Sequence, residues 1–183
     1  MARRKKKKRA SFAVSMLKMG IYSLLVLVCV YCLVTYVFRR SVVRGVSMQN
    51  TLFDGDSIIM DELSYNTGDP KRYDVICFKS YKEKELLIKR IIGLPGEKIQ
   101  IIDGKILIDD EQIKDIKGLS EIEDAGVAKF GITLDDDEYF VIGDNRAESV
   151  DSRFNEVGNI KRKEILGKAA LVFWPPKHIK VIK

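Results

Sequence analysis

Histidine is nearly missing from this 183-residue chain, which has one, His178, close to the C-terminus. A Ser-His-Asp arrangement therefore has little to draw on, and a hydrolytic site would need another base, for which a Ser-Lys pair is the known alternative. Cysteine is almost as scarce. Cys29 and Cys32 fall inside one apolar segment and Cys77 stands alone in a strand-like run. No disulfide framework can be drawn, so the body of the protein must be held by its core. Cys/His and Met-rich spacings are also absent, and neither a metal nor a cofactor is predicted. Acidic residues are missing from residues 1–40, which hold 10 Lys/Arg; from residue 41 onward 22 basic residues face 26 acidic ones, a balance of −4. The formal charge of +6 thus belongs to the N-terminal tail, and nucleic-acid binding is set aside.

What the chain does have begins with that tail, Arg3-Arg4-Lys5-Lys6-Lys7-Lys8-Arg9, followed after Lys18 by an uncharged stretch from Met19 to Phe38. Twenty helical residues at about 1.5 Å rise span about 30 Å, the hydrocarbon thickness of a bilayer. A cleavable signal peptide would carry a shorter apolar core ending in small residues, whereas Phe38-Arg39-Arg40 follows here. The expectation is a basic cytoplasmic tail at 1–18, a transmembrane anchor at 19–38 and an extracytoplasmic domain at 39–183. Arg39, Arg40 and Arg44 lie beyond the anchor, but the N-terminal cluster outweighs them and keeps the N-terminus in the cytoplasm. The protein reads as a single-pass component of the cell membrane, with the lipid bilayer as one partner.

Beyond the anchor the pattern is mostly β. Short apolar runs occur at 57–60, 75–78, 86–92, 98–102, 105–108, 138–142 and 169–174. Asp103-Gly104 between two of them signals a two-residue hairpin turn. Residues 104–137 are acidic and poorly periodic and read as a less regular excursion, with a short strand at Lys129 to Leu134. Many short strands with turn signals predict a folded antiparallel β domain, Greek-key or barrel-like.

Three segments carry residues able to do chemistry. Ser47 lies in Gly45-Val46-Ser47-Met48-Gln49-Asn50-Thr51-Leu52, nine residues past Phe38 and so within about 30 Å of the membrane surface even when fully extended. Lys89 lies in Leu86-Leu87-Ile88-Lys89-Arg90-Ile91-Ile92, stopped by Gly93-Leu94-Pro95-Gly96. Strand alternation puts Leu87, Lys89 and Ile91 on one face and Ile88, Arg90 and Ile92 on the other. Burial among apolar residues disfavours an ammonium and lowers its pKa, which suits Lys89 to act as a base; Arg90 cannot deprotonate. The third segment, Gly143-Asp144-Asn145-Arg146-Ala147-Glu148-Ser149-Val150-Asp151-Ser152-Arg153, is dense in polar and charged groups directly after a strand.

Together these segments resemble the type I signal peptidases (leader peptidases), membrane-bound Ser-Lys serine proteases that remove signal peptides from exported proteins. The family's Ser-Met-x-Pro-Thr-Leu box is similar to Ser47–Leu52, its Lys-Arg-x-x-Gly-x-Pro-Gly box to Lys89–Gly96, and its Gly-Asp-Asn-Arg…Ser-x-Asp-Ser-Arg box to Gly143–Arg153. A weaker box is similar to Tyr73–Phe78. The short body and single anchor look like the Gram-positive-type members. The resemblance implies Ser47 as nucleophile and Lys89 as general base, with Ser149 orienting the lysine amine. It implies that Asp151 and Arg153 support the site by an ion pair, and that Asp144, Asn145 and Arg146 fill a structural turn. The backbone N–H of Ser47 would serve the oxyanion hole. Two positions depart from the pattern: Asn50 stands where proline is common, and Gly45 stands where some members place a hydroxyl that donates to the oxyanion.

The expected function is endopeptidase cleavage of preproteins after small residues at the first and third positions before the cut, with a possible link to the secretion translocon. The alternative is a catalytically silent relative that assists assembly of surface structures such as pili. Such a protein should have lost Ser47 or Lys89, and this chain retains both. A self-cleaving repressor of related Ser-Lys type would need a DNA-binding domain where the anchor stands.

Overall fold

The computed structural model describes residues 2–36, 38–79, 86–114, 116 and 119–182. The chain divides into two compact units, Met1–Phe38 and Arg39–Lys183. The first is one helix, α1 (Ala2–Tyr36), which runs through both the basic tail and the apolar stretch. Lys, Arg, Ala, Met and Leu all favour helix and no proline interrupts them, so the change from charged to apolar does not break the backbone pattern. Within α1, Val14–Tyr31 is long and apolar enough to cross a membrane. The helix stops two residues before the expected anchor end; Phe38 already belongs to a strand, and Val37 lies outside the described residues.

The second unit is built from β1 (Phe38–Val42), β2 (Ser57–Asp61), β3 (Val75–Lys79), β4 (Leu86–Gly93), β5 (Lys98–Ile102), β6 (Lys105–Ile108), β7 (Glu111–Gln112), β8 (Ile132–Thr133), β9 (Glu138–Ile142), β10 (Ile160–Lys161), β11 (Ile165–Trp174) and β12 (Lys180–Val181). The larger sheet runs β1-β2-β11-β3-β4-β9-β10, with β12 on β11, and the smaller runs β7-β6-β5-β8. The pairs with described registers are antiparallel. In the β5–β6 hairpin Asp103 and Gly104 both take positive φ, 49° and 74°, as a turn matching strand twist requires.

The region 104–137 is more regular than its composition suggests. It contributes β6, β7 and β8 to the smaller sheet and buries Ile122, Ala128 and Leu134 in a core with Ile99, Phe140 and Ile142. The strand expected at Lys129 to Leu134 is instead a 3-10 turn (Gly126–Phe130) followed by the two residues of β8. Gly131, at φ 80°, separates them. Residues 115, 117 and 118 lie outside the described set.

Of all the strands, β4 has the most sheltered position. It lies between β3 and β9, and its residues from Ile88 to Gly93 are all buried. Ile88 joins a core with Met48, Met60, Val75 and Val172, while Ile91 joins another with Ile76, Phe78 and Val141. Each fully buried aliphatic side chain contributes about 1.5–3 kcal/mol. That surplus lets the strand hold two basic side chains inside the fold, Lys89 at 3% exposure and Arg90 at 1%.

Candidate active site

The loop carrying Ser47 is pinned from both ends. Met48 and Leu52 are buried in the first core, so Ser47 emerges at the rim of a folded turn. Backbone bonds close that turn: Gln49 N to Val46 O at 2.9 Å, Thr51 N to Met48 O at 3.0 Å and Leu52 N to Met48 O at 2.7 Å. Asn145 holds it from outside, its backbone N–H donating to Ser47 O at 3.0 Å and its Nδ2 to Val46 O at 3.2 Å. The third sequence segment thus grips the first through an amide.

Gly143 is the point where the parts meet. A Cβ there would come within 2.2 Å of Ser149 Oγ and 2.5 Å of the Ser47 carbonyl oxygen. The β4–β9 ladder pairs Arg90 with Ile142. Continued one residue beyond its last pair, the same register would bring Lys89 level with Gly143. The Ser47 carbonyl and Ser149 Oγ thus close in on a residue that has no room for a side chain. Gly143→Ala should disrupt this junction, and the expected result is a loss of cleavage of at least about 100-fold, the scale on which an ångström of misplacement acts. Retained wild-type kcat/KM in that variant would contradict the packing described.

Behind the junction lies a buried carboxylate. Asp151 accepts from Ser149 Oγ at 2.7 Å, Gly143 N at 3.0 Å and Arg153 N at 3.2 Å, and from Arg153 Nε and Nη2 at 2.9 and 3.0 Å. Because Ser149 spends its only proton on Asp151, its oxygen is left to act as an acceptor. Arg153 also donates to the carbonyls of Asp124, Arg146 and Ser149, tying the whole loop to one guanidinium. Arg146 is itself buried. Ser152 fastens the loop to β9 by accepting from Val141 N at 3.0 Å and donating to Gly158 O at 2.7 Å.

A second buried pair lies on the other face of β4. Arg90 donates from Nε and Nη2 to Asp144 Oδ1 and Oδ2 at 2.8 and 2.7 Å, and from Nη1 to Tyr73 O at 2.7 Å. Thr51 Oγ1 donates to the same Asp144 carboxylate. Asp144 is thus more than turn filler: it joins β4, the Ser47 loop and the segment after β9. Arg90, Thr51 and Gly143 are the contributors that inspection of the sequence passed over. The signal was present in that Arg90 is an apolar-flanked charge needing a partner and Asp144 is the first acid after the facing strand.

The two departures have structural counterparts. Asn50 adopts φ 90°, a conformation closed to proline, whose ring holds φ near −65°. Asn50→Pro is therefore expected to lower kcat/KM sharply, on the order of tenfold or more, since a strained loop residue costs about 1–3 kcal/mol. An unchanged rate would mean the loop does not need this turn. Gly45, at φ 82°, has no side chain to offer, and its N–H is engaged with Asp54 Oδ1 at 2.8 Å. His178, the single imidazole, is used elsewhere, with Nδ1 2.6 Å from Asp56 Oδ1 and its ring against Phe53.

Beside Ser47 opens a cleft of about 440 Å³, with Val43, Met48 and Ile88 among its lining residues. Among the described residues no group of His, Cys, Asp and Glu is arranged to hold a metal ion.

The sequence comparisons agree with one another. A family model described as "Signal peptidase, peptidase S26" matches residues 16–174. Signal peptidase I P of Bacillus subtilis subsp. natto is 34% identical over 167 residues, covering 87% of this chain and 90% of its own length. Signal peptidase I of Bacillus caldolyticus is 33% identical over 178 residues, covering 84% and 89%. A crystal structure of a signal peptidase I from Enterococcus faecalis aligns with 56% of this chain and 98% of its own at 29% identity and TM-score 0.47.

Proposed function

The chain belongs to the signal peptidase family, peptidase S26, and on that premise we propose that Ser47 is its nucleophile and Lys89 its general base. As a signal peptidase it cleaves signal peptides from preproteins. The observation that supports the dyad is the close approach of Ser149 Oγ and the Ser47 carbonyl to Gly143, the residue that follows the β9 partner of Arg90.

Neutral Lys89 takes the proton of Ser47 Oγ as that oxygen attacks the scissile carbonyl. The resulting ammonium gives its proton to the departing amine as the C–N bond breaks, leaving an acyl group on Ser47. Water then attacks the acyl carbon as Lys89 takes its proton. The ammonium hands that proton to Ser47 Oγ as the acyl C–O bond breaks, which releases the new carboxyl end and restores the serine hydroxyl and the neutral amine. Ser149 Oγ, its proton committed to Asp151, accepts an N–H from Lys89 and turns the amine lone pair toward Ser47. With Gly45 engaged by Asp54, the Ser47 N–H remains the backbone donor for the oxyanion.

The substrate lies in the cleft as an extended strand, with small residues at the first and third positions before the cut facing Val43, Met48 and Ile88. Leu86–Ile88 pair with β3 on one edge, and the β9 ladder on the other begins only at Arg90, so this second edge receives the incoming segment. Asp144, Asn145, Arg146, Asp151 and Arg153 position the dyad and its loop. The N-terminus is cytoplasmic and residues 39–183 act outside, beside the translocon's exit, with α1 anchored in lipid. Enzyme and signal peptide then share one bilayer, which raises their effective concentration.

The test uses the purified full chain in detergent with a preprotein substrate. A product whose new N-terminus follows an Ala-x-Ala-like site supports the reading, and a mass increment of the acyl fragment on Ser47 in rapid-quench samples supports the nucleophile. A protein that binds the preprotein without cutting it would instead be the silent accessory.

A further inference from the structure

Three arginines follow the anchor within six residues, and they have different surroundings. Arg39 pairs with Glu62 at 3.2 Å. Arg40 lies with its guanidinium carbon 5.5 Å from the centre of the Phe173 ring, and Arg44 has no carboxylate partner among the described residues. Both Arg40 and Arg44 are exposed and both line the cleft beside Ser47. No Asp or Glu is among the described residues that line it. The nearby acid Asp54 is turned to the Gly45 N–H.

The cleft therefore has two chemically distinct parts. Val43, Met48 and Ile88 form a buried apolar wall, whereas Arg40 and Arg44 form a cationic rim. An extended peptide sends alternate side chains to opposite sides. If its first and third residues before the cut enter the apolar wall, its second and fourth project to the rim.

We propose that Arg40 and Arg44 make this enzyme select preproteins carrying Asp or Glu at the second or fourth position before the scissile bond. The inference rests on the function proposed above and adds a substrate preference to it. Each exposed charge pair is worth about a two- to fivefold change in kcat/KM. Arg40, steadied by an aromatic face, loses little side-chain freedom on engaging a carboxylate.

The experiment uses the full-length enzyme in non-ionic detergent and peptides identical except for Glu, Gln or Lys at the second position before the cut, with a parallel set varied at the fourth. The expected order of kcat/KM at one of these positions is Glu, then Gln, then Lys, with a Glu-to-Lys ratio of about 10 at low salt. That ratio should shrink when ionic strength rises from about 0.05 to about 0.5 M, because exposed charges are screened. It should approach one in an Arg40→Gln/Arg44→Gln double variant and invert in Arg44→Glu. Expressing each rate relative to the same variant's Gln peptide cancels any loss of folded enzyme, and the salt series needs no variant. Equal rates on all peptides in the wild type, or a ratio unchanged in the double variant, would overturn the proposal. A double-variant defect seen only on anionic phospholipid vesicles, and the same for every peptide, would assign the arginines to lipid headgroups and overturn it too. These outcomes leave the dyad standing, whereas wild-type failure on every peptide would remove the cleavage reading and this preference together.

Discussion

Ser47→Ala is expected to abolish cleavage of a signal-peptide substrate, and Lys89→Ala to do the same, each by a factor of about 10⁴ or more. Removing one member of a nucleophile–base unit typically costs nearly as much as removing both, so the double variant should be little worse than either single one. Lys89→Arg keeps the positive charge and most of the length but cannot accept a proton at accessible pH, and it should be as inactive as the alanine variant. Comparison of steady-state kcat/KM for these variants with wild type checks the expectation. Equal cleavage by either alanine variant would contradict the dyad.

The pH dependence follows from the same burial. Lys89 sits in β4 at 3% exposure, flanked on its face by Leu87 and Ile91, a setting that disfavours the charged amine. The proposed dyad needs the neutral form, so kcat/KM should rise with pH through a midpoint below the ordinary lysine value.

Asp144→Ala should be the most destabilising single change around the site. It leaves Arg90 inside the fold without its counter-charge and frees Thr51 from the carboxylate that it contacts. Breaking a buried pair by removing one partner costs about 3–5 kcal/mol, on the order of 10 °C in Tm for a domain of this size. Thermal unfolding in detergent, followed by the β-sheet circular dichroism signal, measures it. The informative control is Asp144→Ala combined with Arg90→Leu. Replacing the whole pair by apolar groups should recover much of the loss, and a double variant no more stable than the single would mean the destabilisation has another source.

How far the sequence could be read depended on whether the information was local. The hairpin at Asp103-Gly104, the apolar runs and the alternation that splits Lys89 from Arg90 are all short-range patterns, and they appear in the fold as β5, β6 and β4. The excursion after Gly104 was harder because Ile122, Ala128 and Leu134 are spread through acidic segments and find one another only against Phe140 and Ile142. Likewise, Asp144 reads as a turn residue until the sheet order places β9 beside β4 and turns it toward Arg90. Gly143 carries no signal in its own chemistry; its lack of a side chain matters only once Ser149 and the Ser47 carbonyl close in on it. Asn50 could be flagged as a departure, but its positive φ is visible only in the folded loop.

The ionisation of Lys89 is the most direct test of the whole arrangement. Nitrogen-15 labelling of lysine side chains, with Lys89→Arg used to assign the signal, would follow the Lys89 Nζ through pH in the detergent-solubilised enzyme. The expected result is a titration well below the ordinary lysine value of about 10.4, tracking the rise of kcat/KM. A Lys89 amine that stays protonated through the pH range in which the enzyme is fully active would contradict its role as the base.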